Sequence, residues 1–301
     1  MTLTWSRREF VGAGLSTTLI ALSDRLSASP DVNAANLQLS ETHPASNFVF
    51  ALIQSSPLQL EPSRAGADLE RNTMRMLGVI ERHGRCADWI AFDDSPLTGR
   101  AARAEAASPW LDEQLLDLSL ARLAAAAQTT NCWVSFGAPR LSVGDSSIEE
   151  AVVAVSPSGE THLWPTTESR SQAPPIVATR QGRVALIPTH ASAETIVHCR
   201  EAGVDILLTM GSGPDVNPEA RFSGLGIPLL QVQAASHWQE PGCSIDWAGR
   251  TRVIDATGRL IGACPDALER VLVVSWRGDQ TGGRPGGIAS AEAVRFERMN
   301  G

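Results

Sequence analysis

The chain has 301 residues, of which 43% are apolar and 19% charged, a composition typical of a globular protein with ample material for a core. Its net charge of −8 argues against a general nucleic-acid or anionic-membrane binder, because such proteins present a basic face. All 25 basic residues are Arg, and the absence of Lys removes one type of catalytic residue outright.

The N-terminus has the pattern of an export signal. Arg7 and Arg8 precede a mostly apolar run over residues 12–22, which is shorter than the ~20 apolar residues that a membrane-spanning helix needs. A charged start, a short apolar stretch and a small-residue exit are typical of a signal peptide. The arginine pair resembles the twin-arginine export signal, which implies export in the folded state. We therefore predict a signal peptide over residues 1–34, a linker over 35–46 and a periplasmic or extracellular mature protein without a membrane span.

From Asn47 onward, short apolar runs alternate with helical patterns, which predicts an α/β sheet with some antiparallel pairs. Helices are predicted over residues 65–83, 111–128 and 191–202. The Gly-rich, polar segment 278–301 is predicted to be a flexible tail. Predicted strands lie at residues 48–53, 87–92, 132–136, 151–155, 183–187, 204–208, 227–232, 251–254 and 271–276.

The five cysteines are an odd number, so at least one is unpaired within the chain. No two have the C-x-x-C spacing, and neither a zinc ribbon nor a thioredoxin-like motif is indicated. We interpret them as small buried thiols, and a disulfide between two of them stays open. They are Cys86, Cys132, Cys199, Cys243 and Cys264.

Several segments carry a family resemblance through their order. The first strand ends in Gln54, and residues 87–99 read Ala-Asp-Trp-Ile-Ala-Phe-Asp-Asp-Ser-Pro-Leu-Thr-Gly. Together with the hairpin at 150–159, the segment 201–208 and the segment 247–258, they resemble the nitrilase, or carbon–nitrogen hydrolase, superfamily. The resemblance covers residues 47–277. It implies a four-layer α-β-β-α sandwich that pairs into a homodimer.

The resemblance also implies amide or nitrile cleavage by a Cys nucleophile, a Glu general acid/base and a Lys that stabilises the anionic intermediate. Asp94 falls at the Glu position but is shorter by one carbon–carbon bond, so it is either functional or a strand-end or N-capping carboxylate. Residues 159–165, with the sequence His-Leu-Trp-Pro at their end, resemble the surroundings of the Lys. The nearest Arg is Arg170, beyond the match, and an Arg can stabilise an oxyanion although its planar guanidinium differs from an ammonium. Pro188 falls at the Cys position and offers no side-chain nucleophile. All three catalytic roles are therefore missing or altered.

Other groups stay open as alternatives. Cys199 is interpreted as a packing residue on the third helix, with a displaced nucleophile as the other interpretation, and Thr189 is an unactivated hydroxyl beside Pro188. The resemblance places Asp93, Asp94, Thr189 and His190 near the mouth of the pocket. An Asp with a His there forms a general base, half of a metal site, or only surface hydrogen bonds. The sequence predicts no cofactor and no complete metal site.

Two functions from different classes follow. The first, which the loss of all three catalytic roles favours, is an exported, catalytically degenerate nitrilase-fold protein that binds a small ligand or a protein partner. The alternative is an active amidase- or nitrilase-type hydrolase that uses a displaced nucleophile or a new Asp/His site. The acidic charge argues against nucleic acid as the partner in either case.

Overall fold

The computed structural model describes residues 48–99, 111–141, 148–165, 174–188, 191–211, 224, 226–240, 243–248, 250–266, 268–277 and 287–295. The predicted signal peptide and linker lie outside these residues. In chain order the described elements are β1 (Phe48–Gln54), α1 (Ala65–His83), β2 (Trp89–Ala91), α2 (Glu113–Thr130), β3 (Trp133–Leu141), β4 (Ile148–Val155), β5 (Thr161–Pro165), β6 (Ile176–Thr179), β7 (Gly182–Pro188), α3 (Ala193–Glu201), β8 (Ile206–Met210), β9 (Leu229–Val232), β10 (Ala235–Glu240), β11 (Cys243–Ala248), β12 (Arg252–Ile254), β13 (Leu260–Ala263), β14 (Arg270–Arg277) and β15 (Gly287–Arg295).

The strands form two main sheets and one hairpin. The larger sheet has seven strands in the order β15-β14-β1-β2-β3-β4-β5, in which β1, β2 and β3 are parallel and the other neighbours antiparallel. The smaller sheet has six strands in the order β13-β12-β9-β8-β7-β6, in which β7, β8 and β9 are parallel. β10 and β11 pair with each other.

Alternating side chains on the strands build three apolar layers. On β1, Ile53 packs with residues of α1 and α2, whereas Leu52 packs with residues of the six-stranded sheet. On β7, Leu186 faces the seven-stranded sheet, whereas Ile187 packs with α3. Successive residues of a strand point to opposite faces, so each sheet is covered by helices on one side and by the other sheet on its second side. The order of layers is therefore α-β-β-α, and the predicted four-layer sandwich is confirmed.

Local signals explain where two of the helices begin. The Asp112 side chain accepts hydrogen bonds from the backbone N–H groups of Gln114 and Leu115 at the start of α2. Ser192 accepts one from the N–H of Thr195 at the start of α3. These caps satisfy N–H groups that have no partner within the first helical turn. No helix of the described residues has both the length and the apolarity needed to cross a membrane.

The sheet continues beyond the predicted domain boundary at residue 277. β15 lies inside the segment predicted as a flexible tail, yet it pairs along β14 from Arg295 to Gly287. Ile288 packs against the layer between the sheets. The small residues after Ile288 have little strand propensity of their own. Pairing with the open edge of β14 makes them a strand. The tail prediction is corrected for residues 287–295.

Candidate functional site

The carboxyl ends of the parallel strands in both sheets meet at one end of the sandwich. Ser55 directly follows β1, and its carbonyl accepts a 2.7 Å hydrogen bond from the N–H of Ala235, which lies just beyond β9. Because parallel neighbours end at the same edge of a sheet, the carboxyl ends of β2, β3, β7 and β8 lie at this end too. Ligands of open α/β sheets bind outside the carboxyl ends of strands, so we take this end as the candidate site.

Asp93 lies just beyond β2 and is completely buried. Its Oδ2 accepts a 2.6 Å hydrogen bond from the Ser55 hydroxyl, and its Oδ1 accepts one of 2.9 Å from the N–H of Ser95. The side chain therefore joins the end of β1 to the turn after β2. A fully buried carboxyl group with these partners fits a positioning role better than that of a solvent-facing ligand or base at the mouth of a pocket.

Asp94 is half-buried and is held through its backbone. The Gly137 N–H donates a 2.9 Å hydrogen bond to the Asp93 carbonyl, so pairing between the chain after β2 and β3 continues to this point. A Cβ added at Gly137 would lie only 2.3 Å from the Asp94 carbonyl oxygen. The close approach fixes Asp94 at the carboxyl end of β2, where the resemblance places a catalytic carboxylate.

Pro188 is the last residue of β7 and lies opposite Met210 at the end of β8. Its carbonyl accepts a 2.9 Å hydrogen bond from the N–H of Ala191, which starts the turn into α3. A proline at this position supplies a backbone carbonyl but no nucleophile. The neighbouring Thr189 and His190, and Arg170 further back, lie outside the described residues.

Cys199 is not at the carboxyl ends of the strands but inside the layer between α3 and the six-stranded sheet. It is fully buried between α3 and the six-stranded sheet, packed with residues such as Ile187 and Leu207. Burial raises the pKa of its thiol to about 11, which keeps it protonated at neutral pH. The prediction of a packing cysteine is confirmed, and this site and pKa argue against a displaced nucleophile.

The His-Leu-Trp-Pro segment forms most of strand β5. His162 pairs with Ala154 and Trp164 with Val152, both on β4. Trp164 is partly buried against the layer between the sheets. The segment is thus part of the sheet, and residues 166–173 after it lie outside the described residues.

Two buried amide side chains hold the loops of the candidate site, and the sequence did not single them out as functional. Gln54 Nε2 donates 2.7 Å hydrogen bonds to the carbonyls of Asp266 and Leu268, and its Oε1 accepts from the N–H of Thr251. Asn72 on α1 bonds the backbone of Leu58 and the carbonyl of Leu97. Both residues take part in the family resemblance, and their type is a further signal: an amide that ends an apolar strand, or lies on the apolar face of a helix, needs buried hydrogen-bond partners.

A salt bridge borders the same end of the sandwich. The Arg75 guanidinium pairs with Glu269 and donates a 2.8 Å hydrogen bond to the Ser56 carbonyl. Glu269 accepts in turn from the Ser56 N–H. Within the described residues, no group of three or more His, Cys, Asp or Glu side chains is arranged to hold a metal ion.

The fold is similar to that of an amidase of the nitrilase superfamily from Nesterenkonia sp. AN1. One mutant of that amidase matches with a TM-score of 0.62 at 15% sequence identity, over 78% of this chain and 93% of the amidase. An amidase from Nesterenkonia sp. matches with a TM-score of 0.62 at 14% identity, over 78% of this chain and 92% of that chain. A third structure, with the acetamide moiety of fluoroacetamide on its active site cysteine, has a TM-score of 0.62 at 15% identity, over 79% and 93%.

No protein-family model and no curated protein matches the sequence. The structural similarity therefore establishes the nitrilase-superfamily fold. The chemistry of this chain has to be argued from its own residues.

Proposed function

We propose that this chain is an exported nitrilase-fold protein that binds a small ligand at the carboxyl ends of its parallel strands without cleaving carbon–nitrogen bonds through a thiol. The observation that carries the proposal is Pro188 at the end of β7, where the resemblance expects the nucleophilic Cys. The chain also contains no Lys, and Cys199 is buried in another layer.

The retained framework supports binding rather than a purely structural role. Asp93, Asn72 and Gln54 use buried hydrogen bonds to hold the loops at this end. Half-buried Asp94 is fixed by the close approach to Gly137. A preorganised polar end of this kind binds a ligand at low conformational cost even when no covalent step follows.

Small amides are the first ligand class to test. One of the Nesterenkonia amidase structures is a complex with butyramide, and another is a complex with acrylamide. The carboxyl group of half-buried Asp94 is an acceptor that suits the N–H groups of a primary amide.

Two features support export of the folded protein: the Arg7–Arg8 pair and the cysteines that form no disulfide within the described residues. Cys86, Cys132, Cys199 and Cys264 are unpaired within the described residues. A domain that folds with free thiols is compatible with folding in the reducing cytoplasm, followed by export in the folded state. The homodimer that the resemblance implies belongs to the same proposal, and light scattering of the purified protein tests it.

The decisive experiment measures ammonia release and binding with the same preparation, purified from about Ala35 and shown to be folded by circular dichroism. We expect no ammonia from acetamide, butyramide, acrylamide or the matching nitriles, with an active amidase as the positive control. Calorimetric titration with the amides is expected to show binding. Asp94→Asn should weaken it, and Asp117→Asn, on α2, should leave it unchanged.

Turnover of any of these compounds would contradict the proposal. Cys199→Ala would then test the alternative of a displaced nucleophile directly. The absence of binding to each of these amides would contradict the small-ligand part and favour a protein partner.

A further inference from the structure

A row of aromatic rings crosses the inter-sheet face of the seven-stranded sheet and ends at its edge strand β5. Trp89 stacks on Trp133 with ring centroids 5.3 Å apart. The imidazole of His162 lies 6.5 Å from Trp133 and stacks on Trp164 at 5.8 Å. His162 thus lies between two indoles at the outer end of the row.

Two polar atoms at this end of the row have no partner among the residues that the structure describes. Trp89 Nε1 donates a 2.9 Å hydrogen bond to the Ser135 hydroxyl, whereas the buried Trp133 Nε1 and His162 Nε2 make no hydrogen bond within that part of the chain. The Glu160 carboxylate approaches His162 Nε2 to 3.8 Å, which is beyond hydrogen-bond distance. A buried polar group without a hydrogen-bond partner costs free energy, so a rearrangement that supplies a partner regains it.

β5 is the edge strand of this sheet. It has five residues, and in the described part of the chain it pairs with β4 alone. Edge strands with one partner open more readily than central strands. Besides the pairing with β4 and the packing of Leu163 on the helix side, the contacts of His162 and Trp164 with the aromatic row help to keep β5 in place.

We propose that His162 is an acid-sensitive latch: protonation turns its ring out from between Trp133 and Trp164 toward Glu160, and β5 loosens from the sheet. The neutral ring suits the apolar layer between the indoles. The charged ring gains an ion pair by closing the 3.8 Å gap to a carboxylate that is itself 53% exposed. The position between the indoles therefore favours the neutral ring, and the position close to Glu160 favours the protonated ring.

The charges around His162 agree with this assignment. The Glu160 carboxylate, next to β5, is the charged group that approaches the ring, and its charge opposes the lowering of the His162 pKa by burial. Across the sheet, His162 pairs with Ala154 of β4, which lies opposite Ser135 of β3, and neither is ionisable. The six-stranded sheet contributes apolar side chains to this layer, such as Val184 of β7, while the neighbouring Arg183 donates to the carbonyl of Ala202 before β8.

The sign of the pH effect follows from the surroundings. Burial lowers the pKa of His162 below its usual 6.5, and Glu160 opposes this only in part. The unfolded or opened chain therefore binds the proton more tightly than the closed arrangement does. The stabilisation by the neutral ring is complete above about pH 6.5 and is lost as the pH falls below it.

The latch is connected to the candidate site by one row of the sheet. Trp164 pairs with Val152, Val152 pairs with Gly137, and Gly137 packs against the backbone of Asp94. A displacement of β5 is therefore expected to shift Asp94 through the neighbouring strands β4 and β3. This consequence for ligand binding rests on the proposed function, whereas the latch itself does not.

Hydrogen exchange measured by mass spectrometry tests the latch without any ligand. Wild-type protein, His162→Phe and the control His83→Gln are compared at about pH 7.5 and about pH 5, with exchange times corrected for the intrinsic pH dependence. His83 also has a pKa lowered by burial, but it lies at the end of α1. We expect protection of peptides from 161–165 to fall about tenfold at the lower pH in wild type and in His83→Gln, relative to β1 peptides.

The Phe variant keeps an aromatic ring but cannot be protonated, so its β5 protection should not depend on pH. Equal protection of β5 at both pH values in wild type, or an unchanged pH dependence in His162→Phe, would overturn the proposal. Glu160→Gln provides a second variant at an exposed position, which keeps the test decisive if the Phe variant does not fold. Loss of this carboxylate should shift the acid loosening to lower pH, and an unchanged or higher midpoint would also overturn the latch.

Discussion

The Ser55 hydroxyl donates a 2.6 Å hydrogen bond to Oδ2 of Asp93 and thereby joins the carboxyl ends of β1 and β2. The same aspartate also accepts from the N–H of Ser95. A residue that connects two parallel strands at the edge where ligands bind sets the shape of that edge, even when it contacts no ligand itself.

Asp93→Ala is expected to destabilise the protein by about 2–4 kcal/mol, because hydrogen bonds to a charged group contribute about 1.5–3 kcal/mol each. Ser55→Ala should cost less, since it removes the Ser55 bond and leaves the Ser95 contact. Urea unfolding followed by far-UV circular dichroism measures both. Equal stability of Asp93→Ala and wild type would show that Asp93 does not hold the two strand ends together.

The thiols provide a second prediction, on reactivity. Cys86 is exposed, whereas Cys132, Cys199 and Cys264 are buried. Burial raises the pKa of Cys132, that of Cys199 to about 11 and that of Cys264 to about 12. Since the thiolate is the reactive form, iodoacetamide at about pH 8 should label Cys86 and leave these three unlabelled until the protein unfolds.

Peptide mapping by mass spectrometry assigns the labels and follows Cys243 separately. Fast labelling of Cys199 in the folded protein would contradict its burial and would restore it as a candidate nucleophile. Cys199→Ala should leave any ligand binding unchanged, because the Cys199 side chain is buried in the layer between α3 and the six-stranded sheet.

The sequence predicted the layers of the fold better than the ends of its strands. Continuous apolar runs such as residues 48–53 imply strands buried on both faces. The structure confirms this for β1, since one face packs on the helices and the other on the second sheet. β15 was missed because its small residues have no pattern of their own and depend on the edge of β14. The site was harder still: that Asp93 bonds Ser55 depends on two chain segments 38 residues apart, which no local pattern encodes.

Charge on α2 gives a third prediction. Asp117 is half-buried, and its pKa is raised first by burial and then by Glu113, one turn earlier on the same helix. A carboxyl group whose pKa is raised by folding destabilises the folded state at every pH well above its unfolded pKa. Asp117→Asn should therefore stabilise the protein at neutral pH, by about 0.5 kcal/mol or 1–2 °C in Tm.

The gain should vanish well below about pH 4, where Asp117 is protonated in both states. Thermal unfolding of the two proteins at several pH values measures the difference. Glu113→Gln should gain less, because it removes the repulsion but not the burial of Asp117. A difference between Asp117→Asn and wild type that is independent of pH would contradict the electrostatic origin.

Gly137 provides the last prediction, which connects packing to the candidate site. Its added Cβ would lie 2.3 Å from the Asp94 carbonyl oxygen and 2.5 Å from the Asp94 Cα, and neither backbone atom can move without displacing the chain after β2. Gly137→Ala is therefore expected to cost about 1–3 kcal/mol of stability, as overpacking does in a dense interior. Gly287→Ala is the matched control in a strand, because a Cβ there meets no atom within 4 Å.

Urea unfolding compares the two variants, and titration with butyramide follows the site. Because the displaced segment carries Asp94, Gly137→Ala should also weaken butyramide binding at temperatures where the protein stays folded. If Gly137→Ala is destabilised but binds butyramide normally, the packing of the turn after β2 does not affect ligand binding. In that case the ligand would be held by the ends of β7 to β9 rather than by the turn after β2, and substitutions at Pro188 would be the next to test.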